Sequence, residues 1–175
     1  RVFRGYGSDQ MRQPYQLAMV CVGPQVPLQW GRKVENADFF DLKHDVERLL
    51  SLTGRRDDFT FKQDEHFALH PAQCAQLYDQ DKRVGYLGVL HPTVAKSYGL
   101  KVTPVLFEVD LAAIMKSVVP DYVPIGKFPC MQRDIAIVVD QQESVDNILR
   151  EIIAEAGSLL AKCDVFDVYQ GEGIE

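Results

Sequence analysis

Two side chains near the end of the chain, Asp167 and Tyr169, have the chemistry to recognise a nucleotide base. They alternate with Phe166 and Val168, and successive side chains of a strand point to opposite faces. If Phe166 and Val168 pack beneath a helix, Asp167 and Tyr169 face outward. A base stacked on an aromatic ring contributes roughly 1–3 kcal/mol, and a carboxylate accepts hydrogen bonds from guanine or cytosine amino groups. The alternative is that Tyr169 packs on neighbouring chain and Asp167 is a solvated charge.

Two basic side chains upstream, Lys127 and Arg133, could hold phosphate groups. A guanidinium fork matches the spacing of phosphate oxygens, so Arg133 is suited to this contact. Asp134 follows Arg133 directly, and on a strand these two side chains would face opposite sides instead of pairing. The alternative for Arg133 and Lys127 is a surface salt bridge.

The histidines give little support for a metal site or for catalysis. His66 and His70 occur in the order E-H-x-x-x-H, which differs from the zinc-binding H-E-x-x-H, and Pro71 would break a helix there. His91 precedes another proline and is expected to lie in a turn. A free-standing enzyme that uses these three histidines is a third hypothesis without a partner nucleophile in view. We therefore assign no catalytic and no metal-binding residue.

The elements that must position Asp167 and Tyr169 follow from the pattern of the last part of the chain. Residues 135–139, IAIVV, are β-branched and too few for a helix, so they predict a strand. Ser144 is a plausible N-cap for an amphipathic helix that Gly157 would end. A second strand is expected from about 159 to 169. Together these segments predict a β-α-β unit, either the opening half of a ferredoxin-like sandwich or part of another α/β layer.

The first part of the chain predicts an antiparallel sheet with flanking helices, and the whole chain an α+β fold. Asp38 should cap a helix whose apolar stripe packs on the core and which Gly54 ends. Residues 74–78 and 84–90 flank turn residues and predict a hairpin. Further strands are expected at 15–22, 59–61 and 105–109, and short helical segments at 94–98 and 112–115.

Two prolines and a glycine between Pro120 and Gly126 predict a linker between two modules. We place the domains at 1–119 and 128–175, with the linker at 120–127. The 175 residues, 46% of them hydrophobic, support one ordinary core and a smaller one. Four widely spaced cysteines without a C-x-x-C pair favour a reduced, cytoplasmic setting. No apolar run approaches the ~20 residues of a membrane-spanning helix, so we expect a soluble protein.

Charge is distributed unevenly between the two modules. The net charge is −6; residues 1–119 contain 15 Lys or Arg against 14 Asp or Glu, and residues 120–175 contain 4 against 11. The first module is therefore at +1 and the second at −7. Because phosphate attracts cations, RNA binding by the acidic module must depend on placed contacts or on basic residues outside this chain.

The segments FP, RDIA, VV, FDVY and G-x-G stand in an order and spacing that resembles the anticodon-binding domain of the bacterial phenylalanyl-tRNA synthetase β subunit. The runs DFFDLKHDVERLLSLTG, ALHPAQCA and RVGYLGVLHP resemble the second half of the same subunit's class II core-like domain. The resemblance therefore covers nearly the whole chain. It implies an RNA-facing role for Asp167 and Tyr169 and a truncated ferredoxin-like domain.

The same resemblance implies the reaction and the partners. The family attaches phenylalanine to its tRNA with ATP and magnesium, as an α2β2 heterotetramer in the cytoplasm whose α subunit carries catalysis. The F-R-x-E and G-x-G-x-x-x-R patterns of class II catalysis do not occur in this chain. We therefore expect an inactive part without cofactors of its own that supplies subunit-interface and tRNA-binding surface. The alternative is a non-catalytic protein-interaction module that uses an exposed edge strand.

A ferredoxin-like sheet places its third strand between the first and second. The chain stops after the second, so the strand at 165–169 is expected to pair with 135–139, to borrow a neighbour's strand, or to be poorly ordered.

Overall fold

The structure is a computed structural model that describes residues 13–119, 122, 124–127 and 129–171. The chain divides into two compact units, Arg1–Asp121 and Tyr122–Glu175. The predicted boundary at Pro120 and the second glycine of the G-x-G motif, Gly173, lie outside the described residues.

The first unit is built on a five-stranded antiparallel sheet with the strand order β1-β5-β4-β3-β2. Strands β1 and β2 therefore form its two edges. The α+β fold and the antiparallel sheet predicted from sequence are confirmed. The strands are β1 (Gln16–Cys21), β2 (Phe59–Gln63), β3 (Leu69–Asp79), β4 (Lys82–Leu90) and β5 (Val105–Asp110).

The predicted hairpin is formed by β3 and β4. Asp79 pairs with Lys82, so Gln80 and Asp81 make a two-residue turn. Gln80 has a φ of 56°, the left-handed conformation that tight hairpin turns require. Gly88 of β4 faces Cys74, and a Cβ there would lie 2.6 Å from the carbonyl oxygen of Gln73, so only glycine fits without a backbone shift.

Helix α1 (Phe39–Ser51) covers one face of the sheet, and it begins where the sequence predicted. The carboxylate of Asp38 accepts from the amides of Phe40 and Asp41, at 2.8 and 2.9 Å, and the Asp41 carboxylate accepts in return from the Asp38 amide at 2.9 Å. This reciprocal cap satisfies amides that have no partner inside the helix. The helix ends at Ser51, three residues before Gly54, whose φ of 69° turns the chain away.

The core lies between α1 and one face of the sheet, with buried residues on β2, β3, β4 and β5. Complete burial of one aliphatic side chain contributes roughly 1.5–3 kcal/mol, which makes this layer the main source of stability in the unit. The apolar stripe predicted on α1 is confirmed as core. Its fully buried members and their main strand partners are Leu42, Val46, Leu50, Leu77, Leu87, Val105 and Phe107.

Two short helices complete the first unit, close to their predicted positions. Helix α2 (Pro92–Ser97) is capped by His91, and helix α3 (Leu111–Ile114) follows β5 directly. After α3 the chain returns to the end of α1, where the Val118 amide donates to the Thr53 carbonyl at 2.9 Å.

In the second unit, helix α4 (Val145–Ala156) confirms the predicted amphipathic helix. The Ser144 hydroxyl accepts from the Asp146 amide at 3.2 Å, and Gly157 ends the helix with a φ of 53°. Both capping residues were identified from the sequence. Its apolar side chains Ile148, Leu149 and Ile152 are half-buried, and α4 has no fully buried residue.

The two strands predicted on either side of α4 are wrong for this structure. Residues 129–143 and 160–171 form no backbone ladder within the part that is described. A strand is stabilised by hydrogen bonds to a neighbouring strand, and in a ferredoxin-like unit the first two strands are separated by the third. Among the described residues no strand lies beside 135–139 or beside the closing segment, so neither forms a ladder, and of the predicted β-α-β unit only the helix is formed there.

Candidate nucleic-acid interface

The four side chains predicted to contact RNA are all exposed. Tyr169 has 64% of its surface exposed, and Asp167, Arg133 and Lys127 are also open to solvent. Among the described residues, Asp167, Arg133 and Lys127 make no ion pair or hydrogen bond with one another. The structure thus leaves all four side chains accessible to solvent.

The packing that was expected to turn Asp167 and Tyr169 outward is wrong. Phe166 and Val168 were expected to pack beneath the helix, yet Phe166 is 76% exposed and Val168 is exposed as well. The alternation requires a strand with one covered face, and this segment forms no strand. Tyr169 instead lies over Gly171, where a Cβ would meet the tyrosine hydroxyl at 2.6 Å.

Some of the basic side chains in the second unit form ion pairs with nearby acidic side chains. Residues 120–175 contain four basic side chains. Arg150 pairs with Asp146 at 2.8 Å one turn away in α4, and Lys162 pairs with Asp164 at 2.5 Å. Lys127 and Arg133 have no ion-pair partner among the described residues.

The histidines considered above for a free-standing enzyme, His66, His70 and His91, each make local contacts. The His91 Nδ1 accepts from the Thr93 amide at 3.2 Å and caps α2, as the predicted turn required. The His70 Nδ1 accepts from the Ala72 amide at 3.2 Å. In the described ranges, no three His, Cys, Asp or Glu side chains come together as metal ligands would.

His66 takes part in an aromatic stack that the sequence did not reveal. Its ring lies on Tyr86 of β4, with 4.1 Å between ring centroids and 19° between planes. Burial, and then the positive charge of Arg83, lower the pKa of His66, against the opposing effect of Glu108. Burial, the charge of Glu108 and a hydrogen bond to it raise the pKa of Tyr86. For His66 burial and Arg83 therefore favour the neutral imidazole, and for Tyr86 burial and Glu108 favour the protonated phenol.

No role was assigned to Trp30 from the sequence. The structure exposes this indole completely, next to Arg32 and Lys33, which are exposed as well. The signal was present in the run WGRK, an aromatic residue followed closely by two cations, but burial could not be known from the sequence.

Within the part of the chain that the structure describes, every helix is too short or too polar to cross a membrane.

Comparison with known proteins gives these features a context. Residues 1–111 match the family described as phenylalanyl tRNA synthetase beta chain CLM domain, and residues 126–175 match the ferredoxin-fold anticodon binding domain. An antiparallel α+β unit joined to an anticodon-binding domain defines a chain of the aminoacyl-tRNA synthetase class.

The relatives identify the particular family. Over 96% of its own length, this chain is 44% identical to the phenylalanine–tRNA ligase beta subunit of Coxiella burnetii. Over 94% of its own length, it is 37% identical to that of Shewanella oneidensis. It is 39% identical to that of Pseudomonas putida over 99%. This chain belongs to the phenylalanyl-tRNA synthetase β chain family. It spans about a fifth of the curated relatives it matches, 21–22% of their length.

Proposed function

We propose that this chain is a non-catalytic part of the β subunit of a phenylalanine–tRNA ligase and that it supplies tRNA-binding and subunit-interface surface. The observation that carries the proposal is the match of residues 126–175 to an anticodon-binding domain, in one chain with a CLM-domain match over 1–111. In the complete ligase the α subunit would carry catalysis with ATP and magnesium, in a cytoplasmic α2β2 assembly. No residue of this chain is assigned to ATP or to magnesium.

The first unit, proposed to span residues 1–119, would be the second half of a class II core-like domain that has kept the sheet and lost the chemistry. Its antiparallel sheet with one covering helix supports this assignment. The missing arginine patterns support the loss of catalysis. A linker at 120–127 would lead to the anticodon-binding unit at 128–175.

In the second unit, Tyr169 would stack on a base of the tRNA and Asp167 would accept from an exocyclic amino group. Lys127 and Arg133 would contact phosphates, since the other two cations of the unit are paired with acids. The exposure of all four side chains supports these roles.

The test is binding of a phenylalanine-specific tRNA transcript to the whole chain, measured by anisotropy of a dye on the RNA over a series of salt concentrations. We expect Tyr169→Ala to weaken binding by roughly 5- to 100-fold, the range for loss of one stacked base. Lys127→Gln and Arg133→Gln should each make the salt dependence shallower by about one phosphate contact. Tyr98→Ala, which removes an exposed tyrosine of the first unit, is the matched control and should bind like the wild type.

A second candidate, protein interaction through an edge strand, has its own supporting observation. Strand β1 is an edge of the sheet and carries Val20, which is 66% exposed, so its backbone can add a strand from a partner. Affinity for purified α subunit that does not depend on salt, together with no affinity for the tRNA, would favour this candidate over RNA binding.

A further inference from the structure

An arm between β1 and α1, residues 23–37, projects from the first unit and is held together at its base. The Gln25 amide donates to the Glu35 carbonyl at 2.9 Å, and the Ala37 amide donates to the Gly23 carbonyl at 2.9 Å. Pro24 and Asn36 form an isolated antiparallel bridge between these bonds. The two ends of the arm are therefore fixed to each other.

The arm is also attached to the covering helix. The Gln25 side-chain amide donates to the Asp41 carboxylate in the first turn of α1, which itself belongs to the reciprocal cap. At the other end of the arm, Gly31 has a φ of 81°, the left-handed conformation that lets the chain turn at the tip. The space where its Cβ would stand is open. An anchored base and a turned tip hold residues 27–34 out in solvent, where all are exposed.

The tip combines an aromatic plane with positive charge. Trp30 is fully exposed, and Arg32 and Lys33 follow within three residues. The sequence has no acidic residue between Asp9 and Glu35, and within the described residues neither cation has an ion-pair partner. An exposed indole flanked by free cations is the combination that binds unpaired bases and their phosphates.

We propose that this Trp30 arm is a second RNA contact of the chain, in which the Trp30 indole stacks on an unpaired base and Arg32 and Lys33 contact adjacent phosphates. The inference rests on the proposed function, since it assumes that the bound RNA is the tRNA. It also bears on the charge of residues 120–175, which are at −7 and cannot attract RNA at long range. Arg32 and Lys33 would provide placed phosphate contacts, since residues 1–119 as a whole are only at +1.

A protein partner is the competing occupant, because tryptophan and arginine are frequent in protein interfaces. The arm favours RNA because its two most exposed apolar side chains, Leu28 and Trp30, are separated by Gln29 and followed by Arg32 and Lys33, both exposed. The centre of a protein interface is depleted in charge and forms a continuous apolar patch.

The chain contains a single tryptophan, so its fluorescence reports on the arm alone. The whole 175-residue chain is titrated with the phenylalanine-specific tRNA transcript, and tryptophan emission and anisotropy of dye-labelled RNA are followed in parallel. Free tryptophan in the same titration corrects for light absorbed by the RNA. We expect binding to quench Trp30 emission and to protect it from iodide.

Variants make the assignment specific. Trp30→Ala should weaken binding by roughly 5- to 100-fold, and Arg32→Gln should reduce the salt dependence by about one phosphate contact. Arg48→Gln, an exposed arginine on α1 without an ion-pair partner among the described residues, controls for general loss of charge. Because these side chains are exposed, circular dichroism and the thermal midpoint should match the wild type.

The outcomes separate this inference from the proposed function. If labelled tRNA binds while Trp30 emission and the Trp30→Ala affinity are unchanged, the arm is not an RNA contact although the chain binds RNA. If the wild-type chain binds no tRNA, both ideas fail together. A change in Trp30 emission on addition of purified α subunit, with none on addition of tRNA, would assign the arm to a protein partner and overturn the inference.

Discussion

Arg55 and Asp79 form an ion pair that connects two distant parts of the sequence, with 2.6 Å between the guanidinium Nη2 and the carboxylate Oδ1. The Asp79 side chain is only 8% exposed. Arg55 also donates to Asp58 at 2.7 Å, and the Asp58 carbonyl accepts from the Gln80 amide at 2.9 Å. The tip of the β3–β4 hairpin is thereby joined to the connection between α1 and β2.

We expect Asp79→Ala to destabilise the first unit, because it leaves the Arg55 guanidinium without its most buried partner. Urea unfolding followed by circular dichroism measures the effect. The double variant Arg55→Ala with Asp79→Ala should lose less stability than the sum of the two single variants, as expected for residues in direct contact. Asp45→Ala removes an exposed acid of α1 and should leave the midpoint unchanged. Additive single effects would mean that the pair makes no coupled contribution.

The neighbouring leucines Leu50 and Leu52 provide a direct test of the core. Leu50 is completely buried at the end of α1, whereas Leu52 is 81% exposed just after it. Leu50→Ala removes buried methyl groups and leaves a cavity, so we expect a loss of about 2–5 kcal/mol in the free energy of unfolding. Leu52→Ala should change it by less than about 0.5 kcal/mol. Equal losses at the two positions would contradict the placement of α1 on the sheet.

The elements predicted correctly from sequence are those fixed by local chemistry or by partners that the chain itself contains. Asp38 and Ser144 were identified as N-caps because the first turn of any helix has unpaired amides. Val105 and Phe107 lie in a strand because β1 and β4 flank it. The segment at 135–139 has equally strong strand propensity, but no strand lies beside it in the described part of the chain, and propensity alone does not form a ladder.

The expected packing of Phe166 and Val168 was wrong for a related reason. The orientation of Tyr169 was deduced from strand alternation, and without a strand the deduction about Phe166 was wrong. The role of Trp30 depends on its exposure, which sequence cannot supply because tryptophan is buried in most folds. The arm became apparent only from hydrogen bonds at its base, between residues 10 and 14 positions apart in sequence.

Helix α4 should be sensitive to its cap because it has no buried face to stabilise it. Ser144→Ala removes the hydroxyl that accepts from the Asp146 amide. The expected cost is about 1 kcal/mol of helix stability, which corresponds to a roughly fivefold larger equilibrium constant for helix opening. Amide hydrogen exchange of α4 measured by NMR should accelerate accordingly, while the amides of α1 keep their rates. Ser158→Ala, at an exposed serine after the helix, is the control and should leave exchange in α4 unchanged.

The stack of His66 on Tyr86 predicts how the stability of the first unit depends on pH. Burial and Arg83 lower the pKa of His66 below its ordinary value of 6.5, with Glu108 opposing them, so the unfolded chain binds a proton more readily than the folded one. The neutral His66 contributes fully to the free energy of unfolding above pH 6.5. This contribution is lost as the pH falls from 6.5 through the lower pKa of the folded state. His66→Gln should flatten the stability profile across this window, measured as the urea midpoint at a series of pH values. His44→Gln removes an exposed histidine of α1 and should keep the wild-type profile; a profile that stays steep in His66→Gln would assign the pH dependence to another group.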